Sequence, residues 1–414
     1  MTLVLRWSVL DYLGSLLMLY SVFSISDAGD TPLYCETGTS ILAGQVPYRD
    51  FLIEYPPGAL PTFVLPALFS TECAGGYLYF FAAEMSAFWV AAMFLTAAAS
   101  RRLGRPWLLP ALTIIAGFLL LGNIAITRYD AVVAFALAGA AWSTVAGRFT
   151  LAWTFLGFGT LAKLTPIIAA AALYPFRQGR LRGMLVFASI LFAGSIPAFL
   201  ASPAGFANTF TYHAERGLHI ESFAASILLK MDWVEGVVLT KYRAIEVVGG
   251  MSEIARTATL PVTLVLLFVT GTVIWWDARR GRLGAVQFPR YAAALLLAFL
   301  LGSKVLSPQF LIWLLPLVPL ACRGVWGMGV TALLLLACEL TDGMLSGFYQ
   351  DKPFWVNEVY SQVIVDSQRF LSFVGEEPFH GVHPLNVLLG RNLLLFIIWL
   401  AIIVVPARNE NARE

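Results

Sequence analysis

Charge is scarce in this sequence. Of 414 residues, 13% are Asp, Glu, Lys or Arg, where soluble domains carry about 25%. Cysteine is scarcer still: four residues, none in a CxxC or a Cys/His cluster, which argues against structural zinc or a redox centre. There is no basic patch interleaved with aromatics, so nucleic acid is excluded as a partner. Nor is there a Gly-rich phosphate loop, a DxD-like metal motif or an inverted repeat. The net charge of +2 carries little meaning, because in such a chain the place of each charge matters more than the sum.

What the chain has instead is apolar length. It is 59% hydrophobic, in repeated runs that suit a polytopic helical membrane protein. Candidate spans are 7–26, 75–100, 106–123, 131–147, 183–201, 259–277, 290–303, 308–321, 325–340 and 388–406. The first follows a lone Arg6, exceeds the apolar core of a signal peptide and lacks a small-x-small cleavage site, so it reads as a retained helix. The loops "SRRLGR" (100–105), "FRQGRLR" (176–182) and "DARRGRLG" (277–284) mark the cytoplasmic side. Both termini are then cytoplasmic, and three elaborated segments, 27–74, 202–258 and 341–387, lie outside. The proline-interrupted 58–70 sits in the outer interface or dips into it.

Arg148 and "FRQGRLR" both belong inside, yet only 150–175 joins them, too long for one span and too short for two. Two short helices meeting at "AKLTP" resolve this, with Pro166 as the interruption. Irregular backbone at that depth is tolerated only where protein buries it or it lines a cavity, which singles out Lys163. The expected architecture is one all-α polytopic membrane domain over 1–414. It has about twelve passes including short broken helices, and external loops near the first and seventh helices. A plasma (inner) membrane location with the working face outward follows.

Polar residues gather on the external segments. Residues 26–57 hold Asp27, Asp30, Glu36, Asp50 and Glu54. Asp30 precedes Thr31 and Pro32, a helix-start pattern, with Tyr34 four residues on. There its carboxylate can act as a general base on a sugar hydroxyl or simply cap the helix. "GQVPYRDFLIEYPP" offers Tyr48, Arg49, Asp50, Glu54 and Tyr55, either as a local salt-bridge network with interfacial aromatics or as groups for sugar hydroxyls. "YHAERGLHIES" packs His213, Glu215, Arg216, His219 and Glu221 into eleven residues, at i,i+3 and i,i+4 spacings if helical. A metal site there lacks an obvious third ligand; a solvated loop helix and a phosphate clamp at Arg216 are the other readings.

In "GSKVLSPQFLIWLLPL", Lys304 stands between two apolar runs, and Ser307-Pro308 can start a helix whose N–H groups suit an anion. A snorkelling Lys304 is the plainer alternative. "TRYD" (127–130) reads as a local Arg128–Asp130 ion pair. Lys163, Arg128, Arg216 and Lys304 nevertheless make four cations at or near the outer face, which a phosphate or pyrophosphate would explain. Asp11 and Glu84 fall within spans and need partners or water. Cys35 and Cys73 are both external and free to form a disulfide, at a separation the sequence does not fix.

The order of these motifs, a first helix, "DTPLY", "GQVPYRDFLIEYPP", "AKLTP", "YHAERGLHIES" and "KVLSPQFLIWLLPL", resembles glycosyltransferase family 87. These are the polyprenyl-phosphate-mannose-dependent mannosyltransferases of the GT-C class. The resemblance spans most of the chain and thins beyond about residue 325. It implies a hexosyltransferase moving a sugar, mannose favoured, from a polyprenyl-phosphate donor to a glycolipid or cell-envelope glycan acceptor at the outer face. It implies no nucleotide, metal or other cofactor. A carboxylate in the first external loop is the expected base of the class, and Asp30 matches it, with Asp27 in reserve. Lys163, Arg216, Lys304 and Arg128 would hold the donor phosphate. Tyr34, Tyr48, Arg49, Glu54, Tyr55, His213, His219, Glu221, Ser307 and Gln309 would shape the sugar and acceptor cavity. A glycolipid transporter or flippase is the alternative, since broken helices around charges also serve transport. Against it stand the missing inverted repeat and the gathering of polar residues at one face.

Overall fold

The computed structural model describes residues 9–20, 22, 29–240, 244–349, 365–366, 368 and 381–404. Helices α1 (Val9–Tyr20), α2 (Thr31–Leu42) and α3 (Leu60–Ala67) lead into α4 (Gly76–Arg102). Next come α5 (Leu108–Leu120), α6 (Asn123–Thr127), α7 (Asp130–Val145), α8 (Phe149–Ala162), α9 (Pro166–Ala170), α10 (Arg180–Ala201) and α11 (Pro203–Glu215). After α11 the chain forms α12 (Phe223–Lys230), α13 (Gly250–Arg279), α14 (Phe288–Gly302), α15 (Val318–Ala321), α16 (Gly324–Tyr349) and α17 (Pro384–Val404). Among the described residues six helical segments are long and apolar enough to cross a membrane: α4, α10, α13, 285–302 around α14, 324–342 of α16, and α17. The apolar α5, α7 and α8 are shorter. The protein is therefore a helical, membrane-embedded one.

Alpha-8 shows why the chain breaks where it does. Its 14 residues span about 21 Å at 1.5 Å each, short of the roughly 30 Å hydrocarbon layer. It ends at Lys163 in extended backbone, φ −152°, and α9 restarts with Pro166 in its first turn. The two short helices expected at "AKLTP" are what form. Residues 308–321, expected as one span, are instead a 3₁₀ turn at Pro308–Trp313 followed by the short α15. Pro308, Pro316 and Pro319 leave too few N–H donors for a continuous α-helix.

Six arginines lie over interfacial aromatic rings at 4.5–6.0 Å: Arg101 on Trp107, Arg102 and Arg148 on Trp142, Arg180 on Tyr174, Arg279 on Trp275 and Arg280 on Trp276. Cation and aromatic both favour a membrane–water boundary. Alpha-10 closes onto α8 through glycine: a Cβ at Gly183 would come within 2.0 Å of Trp153 and one at Gly194 within 2.2 Å of Leu161. Its other face carries Phe192 and Leu200 at 73% and 75% exposure, which suits lipid.

The segments expected outside depart from the all-α expectation. Strands β1 (Leu218–His219), β2 (Gly236–Leu239), β3 (Ile245–Val248) and β4 (Val365–Asp366) form one antiparallel sheet in the order β1-β3-β2-β4. "GVVL" and "IEVV" are β-branched and suit strands. Because β4 belongs to 341–387 and pairs with β2, the segments 202–258 and 341–387 meet in this sheet. Both are also shorter than expected, since α13 starts at Gly250 and α16 runs to Tyr349.

Alpha-17 is fastened at both ends. Arg391, with no exposed surface, donates to the Glu221 carboxylate at 2.9 Å and to its carbonyl at 2.8 Å. At the far end Arg290 donates to the carbonyls of Ile402 and Ile403 and to Asp277. A Cys35–Cys73 disulfide, Cα–Cα 5.5 Å, ties α2 to the turn before α4.

Candidate active site

Asp30 occupies the N-cap position of α2, yet its side chain makes no capping hydrogen bond. It turns instead to the guanidinium of Arg128, with which it forms an ion pair, the two side chains 38% and 23% exposed. The capping alternative is therefore not the one the fold takes. Gly29, at φ 55°, lies where a Cβ would come within 2.8 Å of Thr127 Oγ1, so the start of α2 can approach 127–128 closely. The local Arg128–Asp130 pair does not form. Arg128 is extended, φ −117° and ψ 136°, and such backbone sends neighbouring side chains to different sides.

Asp130 points inward and is 1% exposed. Its Oδ1 accepts hydrogen bonds from Lys163 Nζ and from Trp313 Nε1, both at 2.7 Å, while Oδ2 is buried with no partner. The Lys163 ammonium also sits 4.8 Å from the ring centre of Tyr129 and 5.2 Å from those of Phe310 and Trp313. Lys163 is thus at the helix break, as the sequence suggests, but its charge is matched by Asp130 inside an aromatic cage. Any phosphate it met would therefore share it with that carboxylate.

Arg216 is different. It follows α11 and is 9% exposed, with Nε 3.8 Å from Glu246 Oε1, beyond hydrogen-bond reach. Its guanidinium makes no hydrogen bond among the described residues. Lys304 Nζ donates to the carbonyls of Ala214 at 2.8 Å and Arg216 at 2.6 Å, and its own carbonyl accepts from the His219 N–H at 3.0 Å. Lys304 is therefore a staple for the Arg216 segment, not a snorkelling side chain. Burial pushes its ammonium below the usual lysine range. His213, on the exposed side of α11, stands within electrostatic range of Arg216, Lys163 and Lys304, as Lys163 does of Arg128. The Asp30–Arg128 and Asp130–Lys163 pairs are neighbours along the chain, and His213 senses both Lys163 and the Arg216–Lys304 pair, which sets the three toward one end of the bundle.

His219 lies on β1, 5% exposed, with Nδ1 unpartnered. Burial holds its pKa well below 6.5, so the ring is neutral. Directly across the ladder is Glu246, 6% exposed. Burial raises its pKa while Arg216 opposes the rise.

Several of the residues expected to contact sugar are engaged by neighbouring side chains or backbone. Tyr34 is 1% exposed, stacked on Phe63 at 4.4 Å and edge-on to Tyr55 and Tyr129 at 5.7 Å. Tyr48, at φ 67° and 3% exposed, donates its hydroxyl to the Tyr55 carbonyl at 2.8 Å. Arg49 forks onto its neighbour Asp50 at 2.8 and 3.0 Å, and the pair, with the Val46 N–H, holds the Asp50 carboxyl down to about 2. Glu221 is 1% exposed and taken by Arg391. Tyr55 and Glu54 remain half-buried, Glu54 within electrostatic range of Tyr34, Tyr129 and Lys163. Ser307 and Gln309 are half-buried and their side chains make no hydrogen bond among the described residues. Asp27 lies outside the described residues.

Sequence reasoning missed Glu246, Trp313, Phe310 and Arg391. Glu246 and Arg391 do carry a signal: each is a lone charge inside an apolar run, "AIEVV" and "VLLGRNLLL", and such a charge needs a partner.

The family model described as glycosyltransferase family 87 matches residues 51–308, a range that includes Lys163, Arg216, Glu246 and Lys304 and begins after Asp30. No curated protein matches the chain.

Proposed function

The chain belongs to glycosyltransferase family 87 and is a membrane glycosyltransferase, and from that premise we propose that it transfers a sugar, mannose by preference, from a polyprenyl-phosphate donor to a glycolipid or cell-envelope glycan acceptor. The observation that carries the proposal is the uncapped Asp30 carboxylate, held by Arg128 at the bundle end where Arg216 offers an unbonded guanidinium.

In this reading Asp30 removes the proton from the acceptor hydroxyl as its oxygen attacks the anomeric carbon of the donor. The bond from that carbon to the phosphate oxygen breaks, and polyprenyl phosphate leaves with the electron pair. Arg216 meets the developing charge as a planar fork, with its backbone fixed by Lys304. Tyr55, Glu54, His213, Ser307 and Gln309 are the half-buried or exposed side chains available to the sugar and acceptor. Nucleotide and metal are not required, because the leaving group brings its own phosphate and the protein supplies the cation. The Cys35–Cys73 disulfide favours an oxidising compartment and so supports an outward-facing site on the plasma membrane.

The test is sugar transfer from radiolabelled polyprenyl-phosphate-mannose by the purified protein in lipid, wild type against Asp30→Asn. A loss of about 100-fold or more in turnover, with donor binding retained, is expected. Equal turnover in both proteins removes Asp30 as the base, and lipid binding without turnover on any polyprenyl-phosphate sugar overturns the reaction.

A further inference from the structure

Glu246 has no place in the chemistry above, yet among the described residues it is the carboxylate paired with the cation meant for the leaving group. Resting on that reading of Arg216, we propose that Glu246 is a resident counter-anion of the phosphate site, which holds Arg216 between turnovers and promotes release of the phosphate product.

The position is built. Glu246 is fixed on β3 opposite His219 by the strand register. A Cβ on Gly217 would come within 2.3 Å of Glu246 Oε2, so the glycine after Arg216 is what lets the carboxylate lie there. Its Oε1 faces Arg216 Nε at 3.8 Å without a hydrogen bond to any described residue. At that separation attraction persists while the N–H groups stay unspent. A bidentate pair would instead occupy the fork. Neutral His219 across the ladder adds no second cation, and the Lys304 donations to the carbonyls of Ala214 and Arg216 hold the backbone on which the guanidinium turns.

Charge bookkeeping shows why a transferase would keep such a group. The donor is a phosphodiester with one negative charge. The product is a phosphomonoester, which carries about −1.5 to −2 near neutrality. Any cation that meets the leaving group therefore binds the product more tightly than the donor. A fixed carboxylate repels the more highly charged ligand more, and so narrows that gap.

The experiment measures equilibrium binding of two probes to the full chain in lipid nanodiscs: geranyl phosphate, a short monoester, and its methyl diester. Glu246→Gln is expected to bind the monoester several-fold more tightly and the diester less so. About thirty-fold per unit of ligand charge is the ceiling at about 8 Å and an effective dielectric of about 20, so it bounds the gain of the diester and the further gain of the monoester over it. Glu246→Asp keeps the charge and the wild-type affinity. If the glutamine variant does not fold, Glu246→Asn against Glu246→Asp reads the same charge contrast in a shorter side chain. Unchanged monoester affinity on removing the charge, while Arg216→Gln abolishes binding, overturns the counter-anion role and leaves the phosphate site standing. If Arg216→Gln binds both probes as well as wild type, the phosphate reading itself falls, and the counter-anion role with it.

Discussion

Asp130→Asn is the perturbation that best separates structure from chemistry beneath the site. Asparagine keeps the shape of the side chain and can still accept from Trp313, but the Lys163 ammonium, 17% exposed, loses its one salt-bridge partner among the described residues. Breaking one side of a buried pair typically costs about 3–5 kcal/mol. The faces of Tyr129, Phe310 and Trp313 return part of this, at about 0.5–2 kcal/mol for a cation on an aromatic ring, so a net loss of about 2–4 kcal/mol is expected. Lys163→Met alone strands Asp130 and should destabilise similarly. The double variant removes both charges and should cost no more than either single change, giving a coupling energy of about 2–4 kcal/mol. Unfolding by denaturant in mixed micelles reads the four proteins, and donor KM is measured on those that fold. Additive losses would refute the pair. A stable double variant with wild-type donor KM places Lys163 in the framework, whereas a KM raised ten-fold or more would return it to the phosphate site.

The other expectations concern the elements that hold the site. Arg391→Met leaves Glu221 buried without its cation and should lower stability by about 3–5 kcal/mol, with Glu221→Gln milder; chemical unfolding compares them. Replacing Cys35 and Cys73 together by serine should lower stability by about 2–4 kcal/mol, since the bridge closes a sequence separation of 38 residues, and a reduced wild type should match that variant. His219 is neutral when folded but titrates near 6.5 when unfolded. Stability is therefore present above that pH and lost as the pH falls below it, at up to about 1.4 kcal/mol per unit. His219→Gln should flatten the drop between pH 6.5 and 5.5, and thermal unfolding at the two values checks it.

Much of the frame was legible because bilayer and chain obey local rules. Apolar runs had to become helices, Pro166 had to interrupt one, and the arginine-rich loops had to gather at one boundary. The helix start at Asp30 was equally local, since Thr31-Pro32 permits it. The four-stranded sheet was not legible: β1 and β4 are two residues long, too short for any periodicity to register, and they exist only through pairing.

The sequence by itself determined that the chain is a bundle of apolar helices, where one of them breaks, and which residue types its polar segments carry. Those follow from hydrophobicity and backbone chemistry within a few neighbouring residues. Only the tertiary structure decided which charge meets which. Arg128 left adjacent Asp130 for Asp30, Asp130 took Lys163, Glu221 took Arg391 170 residues away, and Arg216 kept its fork unbonded beside Glu246. Attraction between charges depends on distance in space and on burial, and the fold alone sets both.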